Sequence, residues 1–219
     1  MIKAIIFDMD GLLVDSEPYW NKARQDMAAQ AGKDWTADDH EAVKGVSTQE
    51  WVDYMIERLE LKLSPQEIQD QVLNRLIALY QERIPFLPGA IEAVNLAVQH
   101  FPTALASGSH PSLIKAVIQD PRMQDKFRVI VAADEVGAGK PAPDVYLEAA
   151  RRLGIKPEQC VCLEDSGNGI LSGKRAGMKV IAVPDPQSPP KEDILAQADL
   201  VLDSLTGFSL SILEQPESH

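Results

Sequence analysis

The chain has 219 residues, of which 45% are hydrophobic and 25% charged, and its formal net charge is −12. These proportions are typical of a globular protein that forms one large domain or a core with an insert. The negative charge disfavours nucleic acid and anionic membranes as partners, because both repel an acidic surface, and no apolar run reaches the ~20 residues that span a bilayer.

The first predicted element is a short apolar strand at residues 4–7, and carboxylates follow it directly. Asp8 and Asp10 are two positions apart, so their side chains lie on one side while the chain stays extended. Clustered acidic oxygens repel one another unless a cation lies among them, and oxygen ligands without a nearby histidine suit Mg²⁺. Taken alone, this pair is also compatible with an ordinary loop or helix cap.

Residues 17–85 contain no clear strand and predict an all-helical insert. Helices are expected at about 18–31 and 48–61, and a longer one begins at Ser64, where Ser64 and Glu67 match a capping box. Arg75 falls on the apolar side of this longer helix. Two roles are open to it: covering the helix packing while its guanidinium stays in water, or hydrogen-bonding a substrate.

The rest of the chain alternates short apolar strands with segments of helical length. The further strands are expected at 103–107, 128–133, 160–164, 179–184 and 198–202. This alternation predicts a doubly wound, Rossmann-like α/β core with a parallel sheet, formed by residues 1–16 and 86–219 around the insert. Cys160 and Cys162 are poorly spaced for a disulfide and are expected to be buried thiols in a reducing cytoplasm.

Polar residues follow several of these strands, at the sheet edge where doubly wound folds bind ligands. After the strands come Ser107, Gly108 and Ser109, then Lys140, then Glu164 and Asp165. A hydroxyl, backbone N–H groups and an ammonium group beside Mg²⁺ would suit a phosphoryl group. Each feature is weak by itself, but several at strand ends in this order make coincidence improbable.

Four segments resemble, in order, the four motifs of the haloacid dehalogenase superfamily. They are FDMDGLLVDSEP, ALASGS, GKPAPDVY and LEDSGNGILSGKRAGM. More narrowly, the chain resembles the phosphatase-type branch with a helical C1 cap after the first motif, so the insert 17–85 would be that cap. Within the branch it looks most like the hexose- and polyol-phosphate phosphatases, and less closely like β-phosphoglucomutase.

The resemblance implies a role for each aspartate of the first motif. Asp8 would be the nucleophile that forms an aspartyl-phosphate. Asp10 would be the general acid that protonates the leaving oxygen and then the base that activates water. The dehalogenases of the superfamily lack the second aspartate, so Asp10 favours phosphoryl transfer.

The resemblance also implies how metal and substrate are held. Mg²⁺ would be bound by Asp8, by Asp10 through its backbone carbonyl, and by Asp165, with Glu164 holding it directly or through water. Ser107 and Lys140 would act on the phosphoryl oxygens together with the backbone of Gly108 and Ser109. Arg75 is the candidate substrate-binding residue of the cap.

The sequence thus predicts a cytoplasmic, monomeric, Mg²⁺-dependent phosphatase acting on a small phosphorylated metabolite, a sugar or polyol phosphate. The nearest alternative is a β-phosphoglucomutase-type phosphotransferase. Trp20 stands where that type has a histidine, and Thr48 where it has an arginine, which favours transfer to water. Pseudouridine-type phosphatases are another candidate, whereas a catalytically silent binding module conflicts with the presence of both aspartates.

Overall fold

Six parallel strands form one sheet in the order β3-β2-β1-β4-β5-β6. Their bounds are β1 Ala4–Phe7, β2 Thr103–Ser107, β3 Val129–Ala132, β4 Cys160–Glu164, β5 Lys179–Ala182 and β6 Leu200–Val201. The strand order reverses at β1, which is hydrogen-bonded to β2 on one side and β4 on the other. The predicted doubly wound α/β fold is confirmed, and the aspartate motif follows the central strand at its switch point.

Helices connect these strands and form the insert. In chain order they are α1 Glu17–Gln30, α2 Ala37–Ala42, α3 Thr48–Leu59, α4 Pro65–Glu82, α5 Ala90–His100, α6 Pro111–Ile118, α7 Asp144–Leu153, α8 Gly167–Arg175 and α9 Glu192–Leu195. The computed structural model describes residues 1–43, 48–186 and 188–213. None of the helices in these ranges is both long and apolar enough to cross a membrane.

The chain divides into two compact units. The core unit is Met1–Asp15 together with the chain from Ile84 onward, and the cap unit is Ser16–Arg83. The sequence analysis placed the two boundaries after residues 16 and 85. The structure places them after Asp15 and Arg83, one and two residues earlier. The GVS segment at 45–47, which the comparison with mutases used to place Thr48, lies outside the described residues.

The sheet of the core unit is buried by helices whose apolar residues recur at helical spacing. In α7 the residues Val145, Tyr146, Ala149, Ala150 and Leu153 are at most 6% exposed and pack in one cluster with residues of β1, β2, β4 and β5. This i, i+1, i+4, i+5 pattern marks the buried side of a helix. Cys160 and Cys162 are free thiols in the same cluster.

Three strands end earlier than the apolar runs suggest. β5 ends at Ala182, two residues before the end of the run 179–184. The run 128–133 forms a strand only as far as Ala132, because residues 133–135 turn into a 3₁₀-helix and the Glu135 carboxylate accepts the Ala132 N–H at 3.1 Å. The last run, 198–202, pairs only over Leu200–Val201. The length of a strand depends on the neighbouring strand as well as on the apolar run itself.

The cap unit contains the three expected helices and one that the sequence analysis missed. As predicted, α4 begins with a capping box: the Ser64 hydroxyl accepts from the Glu67 N–H, and the Glu67 carboxylate accepts from the Ser64 N–H. The missed helix, α2, is only six residues long and has no apolar period, but it begins with a second capping box made by Thr36 and Asp39. Within the unit, α4 packs against both α1 and α3.

Asp39 is the polar centre of the cap unit. It is 3% exposed and accepts hydrogen bonds from Tyr54 Oη at 2.8 Å and Arg58 Nε at 2.7 Å, besides that from the Thr36 N–H at 2.8 Å. Burial alone would raise the pKa of Asp39, but these bonds to the charged form lower it from 3.8 to about 2. The carboxylate therefore joins α2 to α3.

We expect Asp39→Ala to lower the free energy of unfolding of the cap unit by about 2 kcal/mol, because it removes a helix cap and leaves its partners without an acceptor. Urea titration followed by tryptophan fluorescence would measure this, since Trp20, Trp35 and Trp51 all lie in the cap unit. Glu67→Ala, at the exposed capping box of α4, is the matched control and should cost less than about 1 kcal/mol.

The same titration has a pH dependence of defined sign. Because the pKa of Asp39 is lower in the folded state, its contribution is complete above about pH 4 and is lost as the pH falls towards 2. Asp39→Asn should lack this part of the acid sensitivity. An unchanged pH profile in that variant would contradict the role given to Asp39.

Candidate active site

The aspartate motif leaves the buried end of β1 in a tight turn. Asp8 continues the sheet, donating its N–H to the Leu163 carbonyl at 3.1 Å. Gly11 then adopts φ +77°, and a Cβ there would come within 2.1 Å of Asp165 Oδ2. Glycine is required at this turn for both reasons, and its lack of a side chain lets the loop after β4 approach the loop after β1.

Lys140 links the ends of three strands. Its ammonium donates to Asp8 Oδ1 at 2.6 Å, to Glu164 Oε1 at 2.5 Å and to the Ala106 carbonyl at 3.1 Å. Burial alone would lower the pKa of Lys140, but the two carboxylates raise it above its ordinary value. The lysine is therefore an ammonium ion with all three N–H donors in use.

Glu164 is completely buried, and further contacts surround its carboxylate. Tyr146 Oη donates to Glu164 Oε1 at 2.5 Å, and Ser166 Oγ to Glu164 Oε2 at 3.3 Å. A Cβ on Gly169 would lie 1.8 Å from Oε2. The sequence analysis missed Tyr146 and Ser166, although both stand inside the quoted third and fourth motifs.

Three carboxylates form a group that suits a divalent cation. Asp8, Glu164 and Asp165 each offer an oxygen, and these oxygens lie within 4.8 Å of one another. Burial raises the pKa of Asp8 to about 7. The Lys140 ammonium lowers this pKa in part, and the Glu164 carboxylate raises it further. Burial, then Asp8 and Glu164, also raise the pKa of Asp165 well above its usual range. Such crowding is relieved by a hard cation, so the donor set fits Mg²⁺.

The side chain of Asp10 lies outside this group and bonds to the loop after β2. Asp10 Oδ2 accepts from Ser109 Oγ at 2.6 Å, with Ser107 Oγ at 3.4 Å. Asp10 Oδ1 is buried and has no hydrogen-bond partner among the residues that the structure describes. The side chain is thus held through one oxygen while the other stays available.

The loop after β2 contains an internal hydrogen bond between two of its serines. The Ser109 N–H donates to the buried Ser107 hydroxyl at 3.0 Å, so this amide already has an acceptor. A Cβ on Gly108 would meet no atom within 4 Å, which leaves open space beside its backbone. His110 caps α6 and bonds to Ser112.

The structure therefore brings together the predicted residues of the core unit. They are Asp8, Asp10, Ser107, Gly108, Ser109, Lys140, Glu164 and Asp165. Asp134, which also follows a strand, is exposed. In the cap unit, Arg75 donates from Nε to Asp26 on α1 at 2.5 Å, so its guanidinium has a partner within that unit.

A family profile of haloacid dehalogenase-like hydrolases matches residues 2–177. The chain belongs to this family. It is 38% identical over 208 residues to hexitol phosphatase B of Escherichia coli K12, a match covering 94% of this chain and 93% of that protein. The predicted family and the predicted class, a phosphoric monoester hydrolase, are confirmed.

Solved structures of the same family have closely similar folds. CbbY from Rhodobacter sphaeroides in complex with phosphate has a TM-score of 0.85 at 29% identity, over 98% of this chain and 100% of that chain. β-Phosphoglucomutase from Clostridium difficile has a TM-score of 0.78 at 26% identity, over 98% and 96%. CbbY and β-phosphoglucomutase thus share one architecture with this hydrolase, and the fold alone does not separate a phosphatase from a mutase.

The contact between Gly169 and Glu164 gives a test of the buried network. Gly169→Ala should lower kcat/KM at least ~100-fold, because the new methyl group displaces the carboxylate that holds Lys140, and misplacing a catalytic group by about 1 Å costs that much. The measurement is hydrolysis of p-nitrophenyl phosphate by protein shown to be folded by circular dichroism.

Gly167→Ala is the matched control on the same helix. A Cβ there meets Ile194 at an ordinary 3.5 Å, so activity should stay within about threefold. Equal activity in the two variants would show that the hydrolase tolerates movement of Glu164.

Proposed function

We propose that this hydrolase cleaves a small phosphate monoester, a sugar or polyol phosphate, with Mg²⁺ and through an aspartyl-phosphate on Asp8. The observation that carries the proposal is a pair of aspartates. Asp8 bonds to Lys140, and Asp10 bonds to Ser109 through one oxygen while its other oxygen has no partner in the described ranges. The substrate class is supported by the 38% identity to hexitol phosphatase B. We propose that it acts as a monomer in the reducing cytoplasm.

In the first step the Asp8 carboxylate attacks phosphorus in line. A bond forms between an Asp8 oxygen and phosphorus while the bond from phosphorus to the ester oxygen breaks. Asp10 donates its proton to that oxygen, so the product leaves as a neutral alcohol. Lys140 is placed to hold Asp8 and to balance the negative charge of the phosphoryl oxygens.

In the second step water hydrolyses the aspartyl-phosphate. Asp10, now a carboxylate, takes a proton from the water molecule. The water oxygen bonds to phosphorus while the bond from Asp8 to phosphorus breaks. Inorganic phosphate leaves and both aspartates return to their starting states. Asp10 Oδ1 suits the proton-carrying role because Oδ2 is engaged by the serine hydroxyls.

Charge counting agrees with a proton on Asp10 before substrate binds. Four carboxylates, one Mg²⁺ and one lysine sum to −1, which would repel a phosphate dianion. With Asp10 protonated the sum is zero. When bound, Mg²⁺ supplies positive charge that neutralises the carboxylates and the phosphoryl oxygens. Asp8, Asp165 and the backbone carbonyl of Asp10 would hold it, with Glu164 behind them.

Mutase chemistry is the second candidate, favoured by the similarity to β-phosphoglucomutase. A phosphatase transfers the phosphoryl group to water, whereas a mutase transfers it to a second sugar phosphate. Trp20 lies edge to face against Trp51, with ring centroids 6.0 Å apart, and an indole cannot exchange protons as a histidine does. Incubation with β-glucose 1-phosphate and glucose 1,6-bisphosphate separates them: a mutase makes glucose 6-phosphate, whereas a phosphatase releases inorganic phosphate.

Substitutions of Asp8 and Asp10 should impair hydrolysis in different ways. Asp8→Asn should abolish turnover and the phosphoenzyme trapped by acid quench. Asp10→Asn should slow hydrolysis of a sugar phosphate by ~10²–10⁴-fold, the usual contribution of general acid–base catalysis. It should slow p-nitrophenyl phosphate less, because p-nitrophenolate leaves without a proton. Asp15→Asn is the control, since Asp15 is exposed in the same motif; full activity in Asp8→Asn would reject the mechanism.

Metal dependence is tested by removal and replacement. EDTA should inactivate the hydrolase and Mg²⁺ should restore it, while Ca²⁺ should inhibit because its looser, higher coordination disturbs in-line attack. Asp165→Asn should weaken Mg²⁺ binding measured by calorimetry. Undiminished activity in excess chelator would refute a metal requirement.

A further inference from the structure

Lys140 projects from a four-residue turn in the loop before α7. The turn runs from Gly139 to Ala142, and the Ala142 N–H closes it by donating to the Gly139 carbonyl at 3.0 Å. Lys140 and Pro141 are its two central residues. From this turn the ammonium group reaches two buried carboxylates. The position of the turn therefore sets the position of the ammonium group.

Few backbone donors are available to hold this turn. Pro141 and Pro143 have no N–H group, so neither can donate a backbone hydrogen bond. The carbonyl groups of Pro141 and Ala142 instead accept hydrogen bonds from side chains of α8. The position of the turn therefore depends on that helix.

Ser172 makes the buried one of these two bonds. The residue is 0% exposed, and its hydroxyl donates to the Ala142 carbonyl at 2.6 Å, across 30 positions of the chain. A serine inside a helix commonly bonds to the carbonyl one turn earlier or points to solvent, whereas this one bonds to a neighbouring loop. Because the hydroxyl is sheltered from water, its loss would leave the carbonyl without a ready replacement donor.

The helix that carries Ser172 is fixed against the sheet. A Cβ on Gly173 would lie 2.4 Å from Cys162 Sγ on β4 and 2.9 Å from Val180 Cγ2 on β5, so the helix backbone packs directly on these strands. Ile170, on the same helix, is fully buried in the core cluster. The core therefore holds the Ser172 hydroxyl in a defined place.

The same helix also positions a carboxylate that Lys140 contacts. Ser166 caps α8 and donates to Glu164 Oε2 at 3.3 Å, and Gly169 leaves the room that this carboxylate occupies. Ser172 follows Gly169 by three positions, so the two are neighbours along the helix. One helix thus fixes both Glu164 and the turn that brings Lys140 to it.

Arg175 makes the exposed one of the two bonds to the turn. Its Nη1 donates to the Pro141 carbonyl at 2.8 Å, and the residue is exposed. Water can take the place of such a donor, so we expect its removal to cost less than removal of a buried one. The two bonds from α8 therefore differ in exposure and not in the loop that they hold.

We propose that Ser172 is a positioning residue, whose hydroxyl fixes the turn 139–142 so that the Lys140 ammonium reaches both Asp8 and Glu164. The inference rests on the proposed function for the part that Lys140 plays in the reaction. Ser172 donates to neither carboxylate and acts through Lys140. Its loss allows the turn to shift and carries the ammonium group away from the nucleophile.

Ser172→Ala tests this, because it removes only the hydroxyl and alanine is a strong helix former. With Mg²⁺, kcat/KM should fall about 10- to 100-fold, since misplacing a catalytic group by about 1 Å costs up to that much. p-Nitrophenyl phosphate and phenyl phosphate should be affected equally, because Lys140 acts on Asp8 and on the phosphoryl group that both esters share. A loss confined to phenyl phosphate, the ester with the poorer leaving group, would assign Ser172 to protonation of the leaving oxygen and overturn the proposal.

Arg175→Met is the matched control, since it removes the exposed bond to the same turn. Its kcat/KM should stay within about twofold of the parent. Equal losses in the two variants would mean that the buried hydroxyl has no special part, and the assignment to Ser172 would fall.

A crystal structure of Ser172→Ala with Mg²⁺, compared with the parent under the same conditions, gives a readout that general destabilisation would not move. The distance from Lys140 Nζ to Asp8 Oδ1, 2.6 Å in the parent model, should exceed about 3.5 Å, the limit of a hydrogen bond. A lower melting temperature with an unchanged distance would make Ser172 a packing residue and overturn the proposal. So would kcat/KM within twofold of the parent despite a displaced lysine.

Failure of the proposed function would look different. Wild-type protein would then release no phosphate from either ester with Mg²⁺, whatever the result for Ser172. The distance between Lys140 and Asp8 in the crystal structure of Ser172→Ala needs no turnover, so it would still decide whether the hydroxyl positions the lysine. A displaced ammonium group would support the inference, and an unmoved one would refute it.

Discussion

The Lys140 ammonium between Asp8 and Glu164 is the contact on which the arrangement of the candidate active site depends. Parallel strands direct their carboxyl ends to one edge, so the aspartates after β1 and the acidic pair after β4 are forced together. A lysine from the loop after β3 lies between them and also bonds to the β2 carbonyl of Ala106. Breaking such a buried pair leaves an uncompensated charge, which explains why every donor of Lys140 is used.

The rest of the core site can be understood as support for that contact. Tyr146 and Ser166 hold Glu164 from behind, and Gly169 leaves the room in which its carboxylate fits. Gly11 does the same for Asp165. These groups keep the carboxylates at fixed distances, so the site is arranged before a phosphate arrives and little reorganisation is needed during reaction.

Within the cap unit, one buried charge has all its bonds made and another does not. Asp39 accepts its hydrogen bonds and joins two helices, whereas Arg24 is equally buried and its Nε and Nη1 atoms have no acceptor in the part of the chain that the structure describes. A network that is fully bonded contributes to stability, and one that is incomplete costs stability unless something completes it. CbbY and β-phosphoglucomutase share the architecture of this chain, so the fold by itself does not decide what each of them acts on.

The sequence by itself was sufficient for the fold class and for which candidate residues of the core unit lie together. Apolar runs and the polar residues that end them are local, and the carboxyl edge of a parallel sheet gathers those residues whatever the details. Asp8, Asp10, Lys140 and Asp165 could therefore be selected before any distance was known. The capping box at Ser64 was equally readable, whereas α2 was too short to leave an apolar period.

Only the tertiary structure decided which charges are satisfied. Arg75 bonds to Asp26, 49 positions away, and Tyr146 bonds to Glu164 across 18 positions. Arg24 stands out because no described acceptor reaches two of its nitrogens. Hydrogen bonds form or fail over a few tenths of an ångström, and helix packing sets those distances between residues far apart in the chain. Sequence periodicity identifies the face of a helix on which a residue lies, and it carries no information about the partner on the neighbouring helix.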